Sequence, residues 1–469
     1  MIALFVVVNV AACGGGNDTE RTVLVDYSSD EYASFALENF PAQVDVTPGQ
    51  TVVFKQTWTG EPHTVTGGTM INETLADAKH WLGFFDAFDA LLNSGAELPN
   101  PEDPGDATMG DFVQAVRGAK DKGASKEFIS SYESLRTQGI PLPDLDAADV
   151  PFTTLVEAVD EHSEPAFENI PFAFNDEEKI SQNYGQPCYL TSGEPPKESD
   201  KPCSKANQEQ PEFDGKQAFY NSGILPFRGA SGNTFRVKLA DDIKPGTYNF
   251  YCAVHGPGQL TEVVVKPAGS EVSSASEISR KAREEVTVLT KRLDGVFEEA
   301  VKKNRVTLDG EKITGPFAGL PDPRGGHTAI NEFIPERITA KVNEPITWKM
   351  MGSDHTISFG VPKYFPVVDF TPKGVFLNEK ISPAAGGAKA MPEEDDEGGG
   401  EGGGGEGGGE DEGPPKFDGG SYDGTGFWSS GLIGAQPYLE YTMRITKPGT
   451  YPYACLIHPP MIGRIVVTS

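Results

Sequence analysis

The sequence predicts a mainly β chain of two similar sandwich domains, the first interrupted by a helical insertion and the two joined by a helical linker. Three observations predict it. Apolar and polar residues alternate with the period of strands over 22–65 and again over 328–359. Two distant stretches repeat each other: FYNSGILPFRGASGNTFRVKLADDIKPGTYNFYCAVHGPGQLTEVVV, ending at Val265, parallels FWSSGLIGAQPYLEYTMRITKPGTYPYACLIHPPMIGRIVV, ending at Val467. A duplication of that length implies two copies of one architecture. Helical spacing is confined to two places between and within those copies.

Taken in order, residues 1–21 open with MIALFVVVNVAACGGGND, an apolar run ending in Val-Ala-Ala-Cys. A small-residue site before Cys13 resembles a bacterial lipoprotein signal, which implies lipidation of Cys13 and an exported, lipid-anchored chain at the cell surface or in the periplasm. Ten apolar residues are too few to span a bilayer. The first domain is expected over 22–270. Within it Pro48-Gly49 marks a turn, Val52 to Phe54 a strand, and Gly60 to Pro62 a second turn before His63.

The stretch of about 70–216 breaks that pattern: Leu75, Ala78, Leu82, Phe85, Phe88 and Leu92 follow helical spacing up to Ser94-Gly95. Phe128, Ile129, Tyr132 and Leu135 repeat it before Gly139. An insertion in a surface loop adds little closure entropy, so an inert role is the default. From 271 to 306 a capping box, Ser274-x-x-Glu277, opens a helix whose single stripe is Ile278, Ala282, Val286, Leu289, Leu293, Val296 and Ala300. It is expected to space the two domains. The second domain is expected over 307–469. Its glycine and glutamate tract, about 383–416, buries too little apolar surface to fold.

Net charge is −30, of which Glu393 to Glu412 supplies ten acidic residues and no basic one, leaving about −20 elsewhere. That argues against nucleic acid as a partner and fits a basic partner protein, or the plain solubility of an exported protein.

Chemistry concentrates at the C-terminus, where Cys455, His458 and Met461 bring a thiolate, an imidazole and a thioether within seven residues. Soft donors of this kind favour copper, and His355, after a strand ending near Met350, supplies a second imidazole. In the first copy the duplication sets His63 against His355, Cys252 and His255 against Cys455 and His458, and Gln259 against Met461. Gln259 either ligates or turns outward.

The pattern resembles the cupredoxin family, the plastocyanin and amicyanin group in particular: Cys-x2-His-x2-Met is similar to the amicyanin loop, and Met461 to Ile465 resembles the closing strand of plastocyanins. The resemblance implies Greek-key β-sandwiches, type 1 (blue) copper at one or both sites, and one-electron transfer to a redox partner protein. An axial Gln259 resembles stellacyanin-like members and implies a lower potential at the first site, hence a relay between the two. With Cys13, Cys252 and Cys455 so assigned, Cys188 and Cys203 remain, with fourteen residues between them, as a disulfide. Oxidation and export agree.

An enzyme is not expected. Four of the seven histidines go to the two sites, leaving His80, His162 and His327, with no His-x-His pair and no histidine beside either Cys252 or Cys455. The alternative is a copper-binding or delivery protein that holds metal without redox cycling.

Overall fold

The computed structural model describes residues 19–29, 31–57, 60–94, 96, 98–100, 105–168, 170–174, 179–195, 201–225, 233–308, 311–322, 328–362, 367–378, 381, 414–434 and 438–469. Cys13, His327 and residues 383–413 of the Gly/Glu tract lie outside them. The fold is mixed, with several β-sheets and long helices, so the expectation of a mainly β chain understates the helices.

In the first half, strands Asn39–Phe40, Glu20–Val25, Thr51–Gln56 and Thr234–Lys238 form one sheet in that order. Gln43–Val46, Gly256–Val265, Gly246–Cys252, Thr66–Gly67, Phe219–Asn221 and Cys188–Leu190 form the facing one. The period-2 pattern sends alternate side chains inward. Val23, Val25, Val52, Phe54 and Val237 from one sheet meet Val44, Val46, Phe250, Val263 and Val265 from the other in one core.

The second half repeats the arrangement. Arg337–Lys341, Ile462–Thr468, Gly449–Ala454, Ser358–Phe359 and Trp428–Ser429 follow the strand order of their counterparts in the first half. In both halves the first of these strands runs parallel to the second, and the second antiparallel to the third. Trp348, Tyr441, Met350, Met443, Tyr453 and Ile465 fill that core.

The halves are interlocked. Ser34–Ala36, from the N-terminal part of the chain, pairs antiparallel with Thr328–Ile334 as the edge strand of the second half's larger sheet. The helix Ala275–Lys303 starts at the foreseen Ser274/Glu277 capping box and ends at Asn304 in the left-handed conformation. Its stripe touches both halves: Ile278 enters the first core, while Ala282, Val286, Leu289 and Leu293 meet Phe40, Ile330 and Ile334. It therefore lies across the joint and does not hold the halves apart.

Helix Thr69–Asn93 stops at Ser94 as expected, but its buried face is offset from the expected one. Leu75, Ala78, Trp81, Phe84, Ala87 and Leu91 are buried, whereas Leu82, Phe85 and Phe88 are half-buried and Leu92 is exposed. The reason is that the helix serves two bodies. Ile71, Leu75 and Ala78 pack with Phe219 and Tyr251 of the sheet, while Trp81, Phe84 and Leu91 pack with Phe112, Phe128, Tyr132 and Leu155 of helices Met109–Gly118, Lys122–Thr137 and Thr153–Glu168. Cys188 and Cys203 are disulfide-bonded, with Cα atoms 5.7 Å apart. Closing a loop of this size stabilises by about 3 kcal/mol in the chain-entropy model. No helix among the described residues is long and apolar enough to cross a membrane.

Candidate metal centre

Each cluster is assembled at one end of its sandwich from two strand ends. In the second half, strand Pro345–Met351 turns at Gly352, whose φ of 81° suits glycine and where a Cβ would meet the Leu320 carbonyl. His355 follows, held by reciprocal backbone bonds of 3.0 Å with Ile433. Cys455 comes directly after strand Gly449–Ala454. The loop beyond it closes on itself: Cys455 N–H donates to the Met461 carbonyl at 3.0 Å and Met461 N–H to the His458 carbonyl at 2.8 Å. Thr356 N–H points at the Cys455 sulfur at 3.4 Å, and the Thr356 hydroxyl accepts from Leu456 N–H at 2.8 Å, pinning the two segments together.

The donors converge. Cys455 Sγ lies 4.0 Å from His355 Nδ1 and 3.6 Å from His458 Nδ1, and the two Nδ1 atoms are 3.1 Å apart. Met461 is fully buried in the same core as Cys455. His355 Nε2 faces the Met351 carbonyl at 3.1 Å, which can only accept. Nε2 therefore carries the hydrogen and Nδ1 is left to ligate.

The first half builds the same arrangement. Cys252 Sγ is 3.9 Å from His63 Nδ1 and 3.6 Å from His255 Nδ1, and these nitrogens are 3.1 Å apart. Thr64 repeats the role of Thr356, with N–H to Cys252 Sγ at 3.3 Å and the hydroxyl accepting from Ala253 N–H at 2.7 Å. Gln259 faces inward. Its Oε1 lies 3.0 Å from His63 Nδ1 and 3.3 Å from His255 Nδ1, while its amide nitrogen reaches the Glu38 carbonyl.

The three donor atoms of each cluster lie within 4.8 Å of one another. Six of the residues singled out in the sequence thus fall into two groups of three, with Gln259 beside the first and Met461 buried in the same core as Cys455 of the second. One thiol and two imidazoles per group, deeply buried, fit a soft or borderline ion such as copper. His80 is exposed on its helix, and His162 hydrogen-bonds the Ala158 carbonyl, so neither joins a cluster.

Charges within the clusters support each other. Burial pushes the Cys455 thiol up, but the His458 charge and the close approach of both imidazoles outweigh it and hold the thiol well below its usual range. Cys252 behaves likewise with His255 and His63. Burial lowers His458 and His255, but the neighbouring thiolates and Glu61 raise each to about 10.

Sequence reasoning missed two carboxylates. Asp26, fully buried, holds His63 Nε2 at 2.8 Å, where the second site has the Met351 carbonyl. Glu61 contacts His255 Nε2 at 3.3 Å and His458 Nε2 at 2.6 Å. One signal pointed to Glu61: aligning His63-Thr64 with His355-Thr356 sets Glu61 against Ser353, a charge against a small hydroxyl. Nothing local marked Asp26.

Together the two clusters give the chain a pair of His-Cys-His groups whose donors could hold a metal ion. No protein-family model matches the sequence, and neither does any curated protein. Among solved structures, a copper(I) amicyanin with a methionine-to-alanine substitution is 14% identical, the match covering 29% of this chain and 73% of amicyanin with a TM-score of 0.15. Oxidised plastocyanin from Dryopteris crassirhizoma is 18% identical, covering 32% of this chain and 97% of plastocyanin, with a TM-score of 0.15. Overlaps this partial add nothing to what the strand orders and donor distances establish.

Proposed function

We propose that the chain is a type 1 copper electron carrier with two cupredoxin-like Greek-key domains, over 22–270 and 307–469, exported and held at the cell surface by a lipid on Cys13. The observation that carries this reading is the convergence of one sulfur and two Nδ1 atoms in each half, with Gln259 of the following strand facing the first set and Met461 of the loop after Cys455 in the core of the second. His63, Cys252, His255 and Gln259 would hold one copper and His355, Cys455, His458 and Met461 the other, and the metal would supply one-electron transfer between Cu(I) and Cu(II), to which a set of one thiolate, two imidazoles and a weaker donor is suited.

The protein's part is to hold the donors and exclude water. His355, Cys455, His458 and Met461 are all buried, and Ile457 packs against their core. At the first site the amide oxygen of Gln259 and the carboxylate of Asp26 behind His63 favour the higher charge of Cu(II). The second site has a thioether and a neutral carbonyl in those places. Copper in the first site would therefore have the lower potential and would pass electrons to the second. A net charge of −30 suits a redox partner with a basic docking face. Carriage without catalysis rests on the histidines: none flanks Cys252 or Cys455 to wire it to a second kind of copper site.

Titrating the metal-free protein tests the reading. Two equivalents of Cu(II), intense visible absorption that reductant bleaches, and two reduction steps with the first site at lower potential are expected. A colourless protein that yields Cu(I) to an acceptor would move the assignment to copper delivery.

A further inference from the structure

Glu61 stands between the two clusters. Glu61 Oε1 lies 2.6 Å from His458 Nε2 and Glu61 Oε2 lies 3.3 Å from His255 Nε2, so the two carboxylate oxygens reach the outer nitrogens of ligand histidines from opposite halves. His255 and His458 occupy equivalent places in the repeat, and each presents Nδ1 inward toward its own cysteine.

The surroundings are built for this approach. Gly60, next in the chain to Glu61, has φ of 109°, and a Cβ there would collide with the Ile457 carbonyl and come within 2.8 Å of the Pro459 ring. The segment leading to His63 therefore lies directly on the loop that carries His458. Phe35 stacks on the His458 ring with centroids 5.7 Å apart and planes at 25°. It reaches that position on the interlocking strand Ser34–Ala36, paired Phe35 to Ala329. His458 is fully buried, and the side chains of His255 and Glu61 are 12% and 15% exposed. These ring edges face each other across the joint, leaving little of them to an outside partner.

We propose that Glu61 is a positioning residue shared by both centres: it clamps Nε2–H of His255 and of His458 at once, presents each Nδ1 to its own cluster, and joins the clusters by a continuous route for an electron. This rests on the reading of the clusters as copper centres. The route consists of an imidazole, a hydrogen bond, the carboxylate, a second hydrogen bond and the other imidazole. One electron leaves the centre that becomes oxidised and reaches the centre that becomes reduced. No proton has to move, since both Nε2–H bonds persist.

The test uses the full chain with Glu61→Gln and Glu61→Asp. Glutamine offers a single acceptor oxygen and turns an NH2 toward the other ring, while aspartate is one methylene too short to reach both. Each variant is expected to keep two copper equivalents and the visible bands. After rapid reduction of half the copper, equilibration between sites should slow by ~10-fold or more, matching the lower end of what loss of an outer-shell partner costs in metal affinity or activity. In the reduced, diamagnetic protein, proton NMR should show two slowly exchanging Nε2–H signals in the wild type and at most one in Glu61→Gln. An unchanged equilibration rate overturns the route, and two protected protons in Glu61→Gln overturn the clamp. The same protons are read in the metal-free chain, so a wild type that takes up no copper sinks the copper reading while the clamp is still judged.

Discussion

Cys455→Ser is expected to leave a protein that binds one equivalent of copper in place of two, with the visible absorption of the second site gone. On the copper reading the thiolate would be the sulfur ligand of the metal, and a serine hydroxyl stays protonated where the thiol is held well below its usual range by His458 and His355. The loss should exceed the ~10- to 100-fold that removal of an outer-shell partner costs in affinity. The fold should survive, because serine is nearly isosteric and the Thr356 N–H that faces Cys455 Sγ can donate to the hydroxyl. Cys252→Ser should mirror the result at the first site, and the double variant should be colourless. Visible and EPR spectra with metal stoichiometry read all three. If Cys455→Ser kept both equivalents and full absorption, the donor assignment would be wrong.

Asp26→Asn should destabilise the metal-free protein by ~3–5 kcal/mol, the range for breaking a buried charge pair. Asp26 and His63 are both fully buried, with 2.8 Å between Oδ2 and Nε2. The other oxygen of Asp26 accepts from Ala36 N–H at 2.7 Å and Tyr27 N–H at 2.5 Å, so this carboxylate also ties the interlocking strand to the first half. An amide keeps one acceptor and turns NH2 against the His63 ring N–H.

The pH dependence follows from His63. Burial lowers its pKa, but hydrogen bonds to Asp26 and Cys252 and the Asp26 charge raise it from 6.5 to about 9. A histidine raised in the folded state adds stability that is complete below its unfolded value of 6.5 and is lost as pH rises through about 9. Urea unfolding of wild type and Asp26→Asn should therefore differ most at or below pH ~6.5, and the gap should narrow as pH rises through about 9 to the part carried by the backbone hydrogen bonds of Asp26. A gap that does not change with pH would show that the pair adds nothing through the proton on His63.

Much of both sites was readable before folding. Cys455, His458 and Met461 sit in one short loop, so their convergence is a local matter of spacing, and the repeat transfers the pattern to Cys252, His255 and Gln259. Strand entries with a period of two were equally plain. The helix Thr69–Asn93 was legible in extent but not in which face it buries, because an apolar helix with Phe84 and Phe85 in succession cannot reveal that sheet and helices divide it between them.

The residues alone settled which atoms could hold a metal, since ligand chemistry and loop spacing are properties of short stretches. Three-dimensional packing alone decided what stands behind those atoms: Asp26 at His63, Phe35 on the His458 ring, and Glu61 reaching a histidine 397 positions away. A carboxylate carries no mark of its partner when the partner arrives from the other half of the chain. Only the interlocked strand and the close approach at Gly60 bring them within hydrogen-bonding distance.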